Sequence, residues 1–402
     1  MKYRTVVDRS PRATGAVLLG VSLLALVVLC VVTRVPMADA LVYRAEGAAV
    51  VGGTDLYGFT VTRWHLPATY PPFAAVLFVP TAWLPPPALK AAFVVGNALL
   101  LAVLVRLSCR FAGLPVRSGP LLAAVAAGLW LEPVFQTVLF GQINLALTCL
   151  VLADLTAEPA GRRRGLAVGV AAGIKLTPAL FLLYALLTGR RREAATGAAA
   201  FAGTVLLGAL VLPAASADFW TRRLFETGRV GKAWIVDNQS LQGLFARVLH
   251  TPAPGAPWAV AALATLAAGL WTACRAPDPR RGALAVAVTA LLVSPISWSH
   301  HWVWCVPLLA LLLAEGRPRT AVAVAAVFTA RTLWLVPHQG ELDLHLPWWQ
   351  QPLASPYPLL GLAVLGGTAW RARRRGADAG PGTGAQPVPP ASRSSASTIR
   401  YA

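Results

Sequence analysis

Charged residues are scarce in this sequence. Asp, Glu, Lys and Arg together make up 13% of its 402 residues, whereas a soluble domain carries about 25%. Hydrophobic residues make up 56%, and they occur in long runs almost free of charge, a pattern typical of helices that cross a bilayer. The sequence therefore excludes an ordinary soluble domain and predicts an all-α, polytopic membrane protein.

Acidic residues are especially few, with 16 Asp and Glu against 35 Lys and Arg and a net charge of +19. No polar stretch shows the interleaved aromatic and basic residues that stack bases, so the surplus does not indicate nucleic-acid binding. The basic residues instead cluster at the ends of apolar runs, which the positive-inside rule assigns to the cytoplasmic side of the plasma membrane. These clusters are Arg162 to Arg164, Arg190 to Arg192, Arg280 and Arg281, Arg317 and Arg319, and Arg371 to Arg375.

Cysteine is also rare, and none of the five cysteines belongs to a CxxC pair. Disulfides and structural zinc are therefore not expected. The adjacent His300 and His301 do not share a helix face and have no carboxylate cluster nearby, so the pair does not resemble a metal site. No metal or other cofactor is predicted; a divalent metal is compatible with the sequence, but nothing indicates one.

The chain is predicted to have three parts: a cytoplasmic N-terminus (1–14), a transmembrane domain (15–370) and a disordered cytoplasmic tail (371–402) rich in Gly, Pro, Ala and Ser. The first apolar run exceeds a signal-peptide core in length, so we expect an uncleaved helix. The transmembrane domain is predicted to hold roughly ten to twelve helices, with re-entrant or short helices near the outer face.

Two apolar segments leave the helix count open. The segment 73–84 is short and flanked by prolines, which favours a re-entrant or tilted helix. The run 165–188 carries Lys175 and Pro178 in its middle and lies between two arginine clusters. It is either a hairpin that returns to the cytoplasmic side or a single crossing.

The first loop predicted on the outer face, Pro36 to Tyr70, carries the acids Asp39, Glu46 and Asp55. Asp55 lies among glycines, where an aspartate is usually a turn residue. Aromatic neighbours such as Tyr57 could stack on a sugar, which makes a catalytic role for Asp55 a second interpretation.

Lys175 is the most isolated cation inside an apolar run. Burying it without a partner costs several kcal/mol, so it either faces a polar cavity that holds an anion or extends to the surface. A phosphate would be a suitable partner. His300 or His301, at the end of a helix, and Arg63, in an outer loop, could also contact a phosphate, although packing at the membrane interface explains the histidines equally well.

Four amides interrupt or follow apolar runs and could orient sugar hydroxyls, or could simply cap helices. They are Gln142, Asn144, Asn238 and Gln239, and Trp298 lies beside the histidine pair. Both interpretations of the amides stay open on the residues alone.

Six fragments in this order resemble glycosyltransferase family 87, the polyprenyl-phosphate-mannose-dependent alpha-1,2-mannosyltransferases of the GT-C superfamily. The resemblance covers roughly residues 15–370. The fragments are Asp55-Leu56-Tyr57, Tyr70-Pro71-Pro72-Phe73, Phe140-Gly141-Gln142-Ile143-Asn144, Ile174-Lys175-Leu176-Thr177-Pro178, Asn238-Gln239-Ser240-Leu241-Gln242-Gly243, and Ser294-Pro295-Ile296-Ser297-Trp298-Ser299-His300-His301-Trp302.

The resemblance implies a GT-C bundle with its active site on the outer face. The implied reaction transfers mannose, with inversion, from polyprenyl-phosphate-mannose to a glycolipid or lipoglycan acceptor of the cell envelope. On the resemblance, Asp55 is the catalytic base and Lys175, His300, His301 and Arg63 bind the donor phosphate. The residues expected to contact sugar or acceptor are Tyr57, Gln142, Asn144, Asn238, Gln239 and Trp298.

Two other functions fit the sequence. The broken run at Lys175 and Pro178 is a feature of transporters and flippases, but those proteins usually carry a matching interruption in a second repeat, and no repeat is evident here. The same fold could also use arabinofuranose, glucose or galactose instead of mannose, because sugar selectivity depends on a few hydrogen bonds.

Overall fold

The computed structural model describes residues 9–158, 161 and 163–378. Arg162, most of the predicted N-terminal segment and the predicted tail beyond residue 378 lie outside this range. The described chain is helical apart from one two-stranded antiparallel ribbon, β1 (Thr60–Val61) with β2 (Leu66–Pro67). The prediction of an all-α membrane bundle is confirmed.

The α-helices of the described residues are α1 (Arg9–Val32), α2 (Ala38–Gly52), α3 (Pro72–Ala82), α4 (Pro86–Ala112), α5 (Ser118–Gly128), α6 (Glu132–Phe140), α7 (Asn144–Leu155), α8 (Leu166–Ile174), α9 (Ala179–Leu187), α10 (Arg191–Val211), α11 (Pro213–Thr221), α12 (Leu241–Val248), α13 (Gly255–Arg275), α14 (Pro279–Val293), α15 (Cys305–Ala314), α16 (Pro318–Ala330), α17 (Gln351–Ala354) and α18 (Pro356–Asp378). Short 3₁₀ helices cover Arg223–Phe225, Thr227–Arg229, Ser299–Trp304, Thr332–Trp334 and Leu342–His345.

Four described helices are long and apolar enough to cross a membrane: α1, α4, α10 and α13. The pair α5 and α6, bent by 72°, could form a fifth span. The sequence predicted ten to twelve crossing helices, and the difference arises because other apolar runs fold into shorter pieces. For example, α7, α14 and α15 have 12, 15 and 10 residues, below the roughly 20 needed to span a bilayer unaided. The segment 73–84 forms the short helix α3, as its flanking prolines predicted.

The run 165–188, for which the sequence left a hairpin and a single crossing open, is broken into α8 and α9 at Lys175–Pro178. Gly165 lies against Glu193, at the start of α10, whereas Gly173 lies against Thr204, further along it. The contacts advance in the same direction along both helices, so α8 runs parallel to α10. The intervening α9 must therefore run back, and the two helices form a hairpin with Lys175 at its tip.

The arginine clusters gather at one end of the bundle. Arg164 pairs with Glu193 across the base of the hairpin at 3.1 Å. Arg280 donates to the carbonyl of Ala112, at the end of α4 (2.8 Å), and Arg281 forms an ion pair with Glu315, at the end of α15. Helices distant in sequence thus begin or end side by side at this basic end.

The centre of the bundle is α14, in which every residue from Gly282 to Leu292 is buried. A helix apolar on all sides suits such a position. By contrast, α1 exposes Val17, Leu24 and Val31, as expected for a helix that faces lipid. The central helix ends at Val293, where the chain turns into the cavity described next.

Candidate active site

A cavity of about 610 Å³ lies at the end of the bundle opposite the arginine clusters. It forms where several helices begin or end, so that loop residues supply its polar groups. Asp39 comes from the start of α2, Lys175 from the hairpin tip and His301 from the turn after α14. Gln142 and Asn144 come from the turn between α6 and α7.

Lys175 is the principal cation of this cavity. Its Nζ lies 2.8 Å from His301 Nε2 and 3.3 Å from Asn144 Oδ1, and 5.6 Å from the ring centroid of Tyr70. Because an ammonium group only donates, His301 Nε2 acts as the acceptor, and a neutral imidazole then carries its proton on Nδ1. No described carboxylate lies within ion-pair distance of Lys175, so its charge is available to an anionic ligand.

Asn144 holds this cation in place. Its Oδ1 accepts from Lys175, while its Nδ2 donates to the carbonyl of His300 at 3.2 Å. Both ends of the amide are therefore occupied by the protein. This contact joins the α6–α7 turn to the hairpin tip and to the turn after α14.

Asp39 is the only carboxylate among the described residues that line the cavity. It lies in the first turn of α2, and the partial positive charge of a helix N-terminus favours a carboxylate there. Helix α2 is not one of the helices long and apolar enough to cross the membrane. Burial raises the pKa of Asp39 to about 6, while a hydrogen bond with Gln142 and the charge of Lys175 oppose the rise. Asp39 thus combines access to the cavity with a pKa suited to accepting a proton near neutral pH.

Asp55, the base predicted from the sequence, does not line the cavity. Its side chain is exposed, and its Oδ1 accepts a hydrogen bond from the backbone N–H of Tyr57 at 3.0 Å. This is the local bond of an Asx turn, the alternative that the neighbouring glycines suggested. The position of Asp55 therefore does not fit the predicted catalytic role.

Three other predicted contacts also lie away from the cavity wall. Arg63 is exposed, with its guanidinium 4.5 Å from the ring centroid of Trp64. Tyr57 is buried, and its hydroxyl donates to the carbonyl of Tyr70 at 2.9 Å. His300 is buried with its ring against Phe140, so only one of the two predicted histidines faces the cavity.

Asn238 and Gln239 are fully buried and join loops that are distant in sequence. Asn238 Oδ1 accepts from the backbone of Ser297 at 2.9 Å, and Gln239 Nε2 donates to the carbonyl of Ala354 at 2.8 Å. These amides serve the fold rather than a sugar. Their pairing with the loop after α14 places Trp298 in the cavity wall.

Five residues that the sequence singled out do line the cavity: Lys175, His301, Gln142, Asn144 and Trp298. The sequence missed Asp39, whose signal was an acid in the first turn of the helix that follows the first span. It also missed Arg223, which lines the cavity and pairs with Asp218 at 2.7 Å.

The rest of the cavity wall is largely apolar. Leu180 of α9, Leu266 of α13 and Leu291 of α14 extend it away from the polar groups. Within the part of the chain that the structure describes, no group of three or more His, Cys, Asp or Glu side chains could hold a metal ion. The cavity is thus suited to a molecule with an anionic head and an apolar chain.

These features define a class: a polytopic membrane protein whose helices enclose an amphipathic cavity. Comparison with known proteins gives the family, because the model of glycosyltransferase family 87 matches residues 68–295. The chain belongs to this family and is a glycosyltransferase.

Two relatives show how far the similarity extends. The polyprenol-phosphate-mannose-dependent alpha-(1-2)-phosphatidylinositol mannoside mannosyltransferase of Mycobacterium tuberculosis is 36% identical over 353 residues, which cover 81% of this chain and 82% of the relative. The corresponding pentamannoside mannosyltransferase of Mycolicibacterium smegmatis is 35% identical over 358 residues, covering 84% and 86%. The crystal structure of ArnT from Cupriavidus metallidurans bound to undecaprenyl phosphate aligns with 93% of this chain and 80% of its own, with 19% identity and a TM-score of 0.43.

Proposed function

We propose that this protein transfers a mannosyl residue from polyprenyl-phosphate-mannose to a phosphatidylinositol mannoside or a related glycolipid. The observation that carries the proposal is the cavity, in which a carboxylate, Asp39, and a cation, Lys175, line a largely apolar wall. The names of the relatives supply the donor, the sugar and the acceptor class.

The polar wall can stabilise the departing phosphate. As the bond between the anomeric carbon and the phosphate oxygen breaks, its electron pair leaves with the polyprenyl phosphate. Lys175, held by His301 and Asn144, places a fixed positive charge where that negative charge develops. Such preorganised charge in a largely dry site stabilises the transition state strongly.

Asp39 acts as the general base in this proposal. The acceptor hydroxyl attacks the anomeric carbon from the face opposite the phosphate, and Asp39 takes the hydroxyl proton. This single displacement inverts the configuration at the anomeric carbon. It needs one carboxylate, whereas soluble glycosidases use two, and the described part of the cavity wall provides one.

The apolar wall suits the polyprenyl chain of the donor. Leu180, Leu266 and Leu291 come from three different helices and all line the cavity. An isoprenoid chain against these side chains would remain out of water while its phosphate reaches Lys175. The position of the arginine clusters at the other end of the bundle supports an active site on the outer face of the plasma membrane.

The test compares Asp39→Asn with Asp55→Asn in proteoliposomes supplied with polyprenyl-phosphate-mannose and a phosphatidylinositol mannoside. We expect Asp39→Asn to lower the rate of mannose transfer by about 100-fold or more, the usual contribution of a general base. Asp55→Asn is the matched control, an equally conservative change between α1 and α3, and should retain the wild-type rate. Full activity of Asp39→Asn would reject Asp39 as the base.

The same preparation also tests the sugar. Polyprenyl-phosphate donors carrying glucose, galactose or arabinofuranose should give much slower transfer than the mannose donor if the cavity selects mannose. Equal or faster transfer from one of them would change the donor assignment and leave the chemistry of Asp39 and Lys175 in place. Movement of the donor across the bilayer without transfer would instead support a flippase.

A further inference from the structure

Gln142 lies at the centre of a buried hydrogen-bond network behind the cavity wall. The hydroxyl of Tyr43 donates to Gln142 Oε1 at 2.8 Å, and the hydroxyl of Tyr70 donates to the same atom at 3.3 Å. The two hydroxyls are 3.1 Å apart. All three side chains are at least nine-tenths buried, so water offers them few alternative partners.

Gln142 Oε1 faces the two tyrosine hydroxyls, so its Nε2 group points away from them. An ionised carboxylate can accept from Nε2 because it has no proton to donate. Asp39 and Gln142 both line the cavity, and a hydrogen bond with the Gln142 side chain lowers the pKa of Asp39. Asp39 and Tyr43 are four residues apart on α2, so they occupy one face of the helix and can hold the same amide between them.

Close backbone packing sets the distance between these two elements. Gly141 has a φ of 68° and lies against Ala40, where an added Cβ would come 2.6 Å from the Cβ of Ala40. A larger residue at position 141 would strain the backbone and push the α6–α7 turn away from α2. The glycine thus brings Gln142 next to Asp39.

We propose that Gln142, clamped by Tyr43 and Tyr70, is a positioning residue that orients the Asp39 carboxylate toward the acceptor hydroxyl and stabilises its ionised form. This inference rests on the proposed function, in which Asp39 is the base. It assigns to Gln142 a role in the protein's own hydrogen bonding instead of the direct sugar contact that the sequence suggested.

The network has a consequence for pH dependence. An amide N–H that donates to a carboxylate favours the ionised form and lowers its pKa. The charge of Lys175, at the hairpin tip, lowers the pKa of Asp39, and that of Asp237, in the loop before α12, raises it. The buried Glu46, two turns further along α2, also interacts with Asp39. Losing the amide should raise the pKa of Asp39 and leave these three groups in place.

The test uses Tyr43→Phe combined with Tyr70→Phe, which removes both hydroxyls that hold Gln142 and keeps the rings. In the wild-type protein we expect the transfer rate to fall at acidic pH and to be half-maximal near pH 6, the pKa of Asp39. We call this fall the acidic limb of the pH–rate profile. In the double variant the midpoint of the acidic limb should rise by about one pH unit, since a hydrogen bond to a charged group is worth roughly that much. We expect kcat to fall about tenfold, with little change in the KM for donor.

Gln142→Leu is the second variant, because it removes the amide and leaves both tyrosines. It should shift the acidic limb by a similar amount, and adding the tyrosine changes to it should shift the limb no further, as expected for residues that act through one contact. Tyr357→Phe is the control: it removes a buried hydroxyl that donates to Glu132 at 2.6 Å, away from Gln142. Its pH profile should match the wild type even if its stability falls.

An unchanged acidic limb in both the double variant and Gln142→Leu would overturn the inference. So would a rise in KM with kcat unchanged, which would indicate direct contact with the sugar. These results can be distinguished from a failure of the proposed function. The rate of Asp39→Asn tests whether Asp39 is the base, whereas the pH profiles of the other variants test whether Gln142 positions it. An inactive Asp39→Asn together with an unshifted Gln142→Leu would reject the positioning role alone.

Discussion

Lys175 is the side chain proposed to stabilise the leaving phosphate. We expect Lys175→Met to lower kcat by about 100-fold or more, because the charge that stabilises the leaving phosphate is lost from a preorganised site. Lys90→Met is a suitable control, since Lys90 donates to the carbonyl of Val35 at 3.1 Å and does not line the cavity.

The measurement is the initial rate of mannose transfer at saturating donor. Lys175→Arg should recover only part of the activity, because a guanidinium cannot replace an ammonium held 2.8 Å from His301. A wild-type rate in Lys175→Met would show that the phosphate is stabilised elsewhere, and Arg223, which also lines the cavity, would become the next cation to test.

At the same scale, the sequence predicted the cation better than the carboxylate. A lysine inside an apolar run is conspicuous because its burial is costly wherever the helix lies. Asp39 and Asp55 lie in one loop, and local composition favoured the acid with glycine and aromatic neighbours. Which acid faces the cavity depends on how α2 packs against the α6–α7 turn, a contact between residues about 100 positions apart.

The hairpin of α8 and α9 is the element that brings Lys175 to the cavity, and it depends on small residues. Gly169 of α8 packs directly against the backbone of Gly197 on α10, with no space for a side chain. Gly169→Ala should therefore separate the helices and lower stability by about 1–3 kcal/mol, and transfer should fall with it as Lys175 moves.

Gly203→Ala on α10 is the matched control, because no atom lies within 4 Å of a Cβ placed there. The better helix propensity of alanine should leave that variant as stable as the wild type or slightly more stable. Thermal unfolding in detergent, followed by the transfer assay, checks both variants. Equal stability of Gly169→Ala and wild type would contradict the tight packing of α8 on α10.

The sequence located the break in this element but not the direction of its second half. Lys175 and Pro178 interrupt the run because a buried charge and a missing N–H both disfavour a continuous helix. Whether the chain then turns back depends on the ion pair of Arg164 with Glu193 and on the glycine contacts with α10. Periodicity carries no information on such contacts.

The whole molecule has two ends of different chemistry, one with arginine clusters and one with the cavity. The positive-inside rule predicts that the basic end faces the cytoplasm and that the cavity opens on the outer side. The apolar surface of the lipid-facing helices does not distinguish the two orientations, because it suits the membrane equally well in either one. A direct measurement of sidedness therefore bears on the entire proposal.

Two exposed positions outside the cavity wall allow that measurement. In a variant without the five native cysteines, Thr54→Cys places a thiol in the loop after α2, and Arg319→Cys places one at the basic end. A maleimide that cannot cross membranes should label Thr54→Cys in intact cells and label Arg319→Cys only after the membrane is opened. Both variants should transfer mannose at the rate of the cysteine-free parent, which shows that the labelled protein is folded. The reverse labelling pattern would place the cavity on the cytoplasmic side, and the donor and acceptor would then have to be supplied from within the cell.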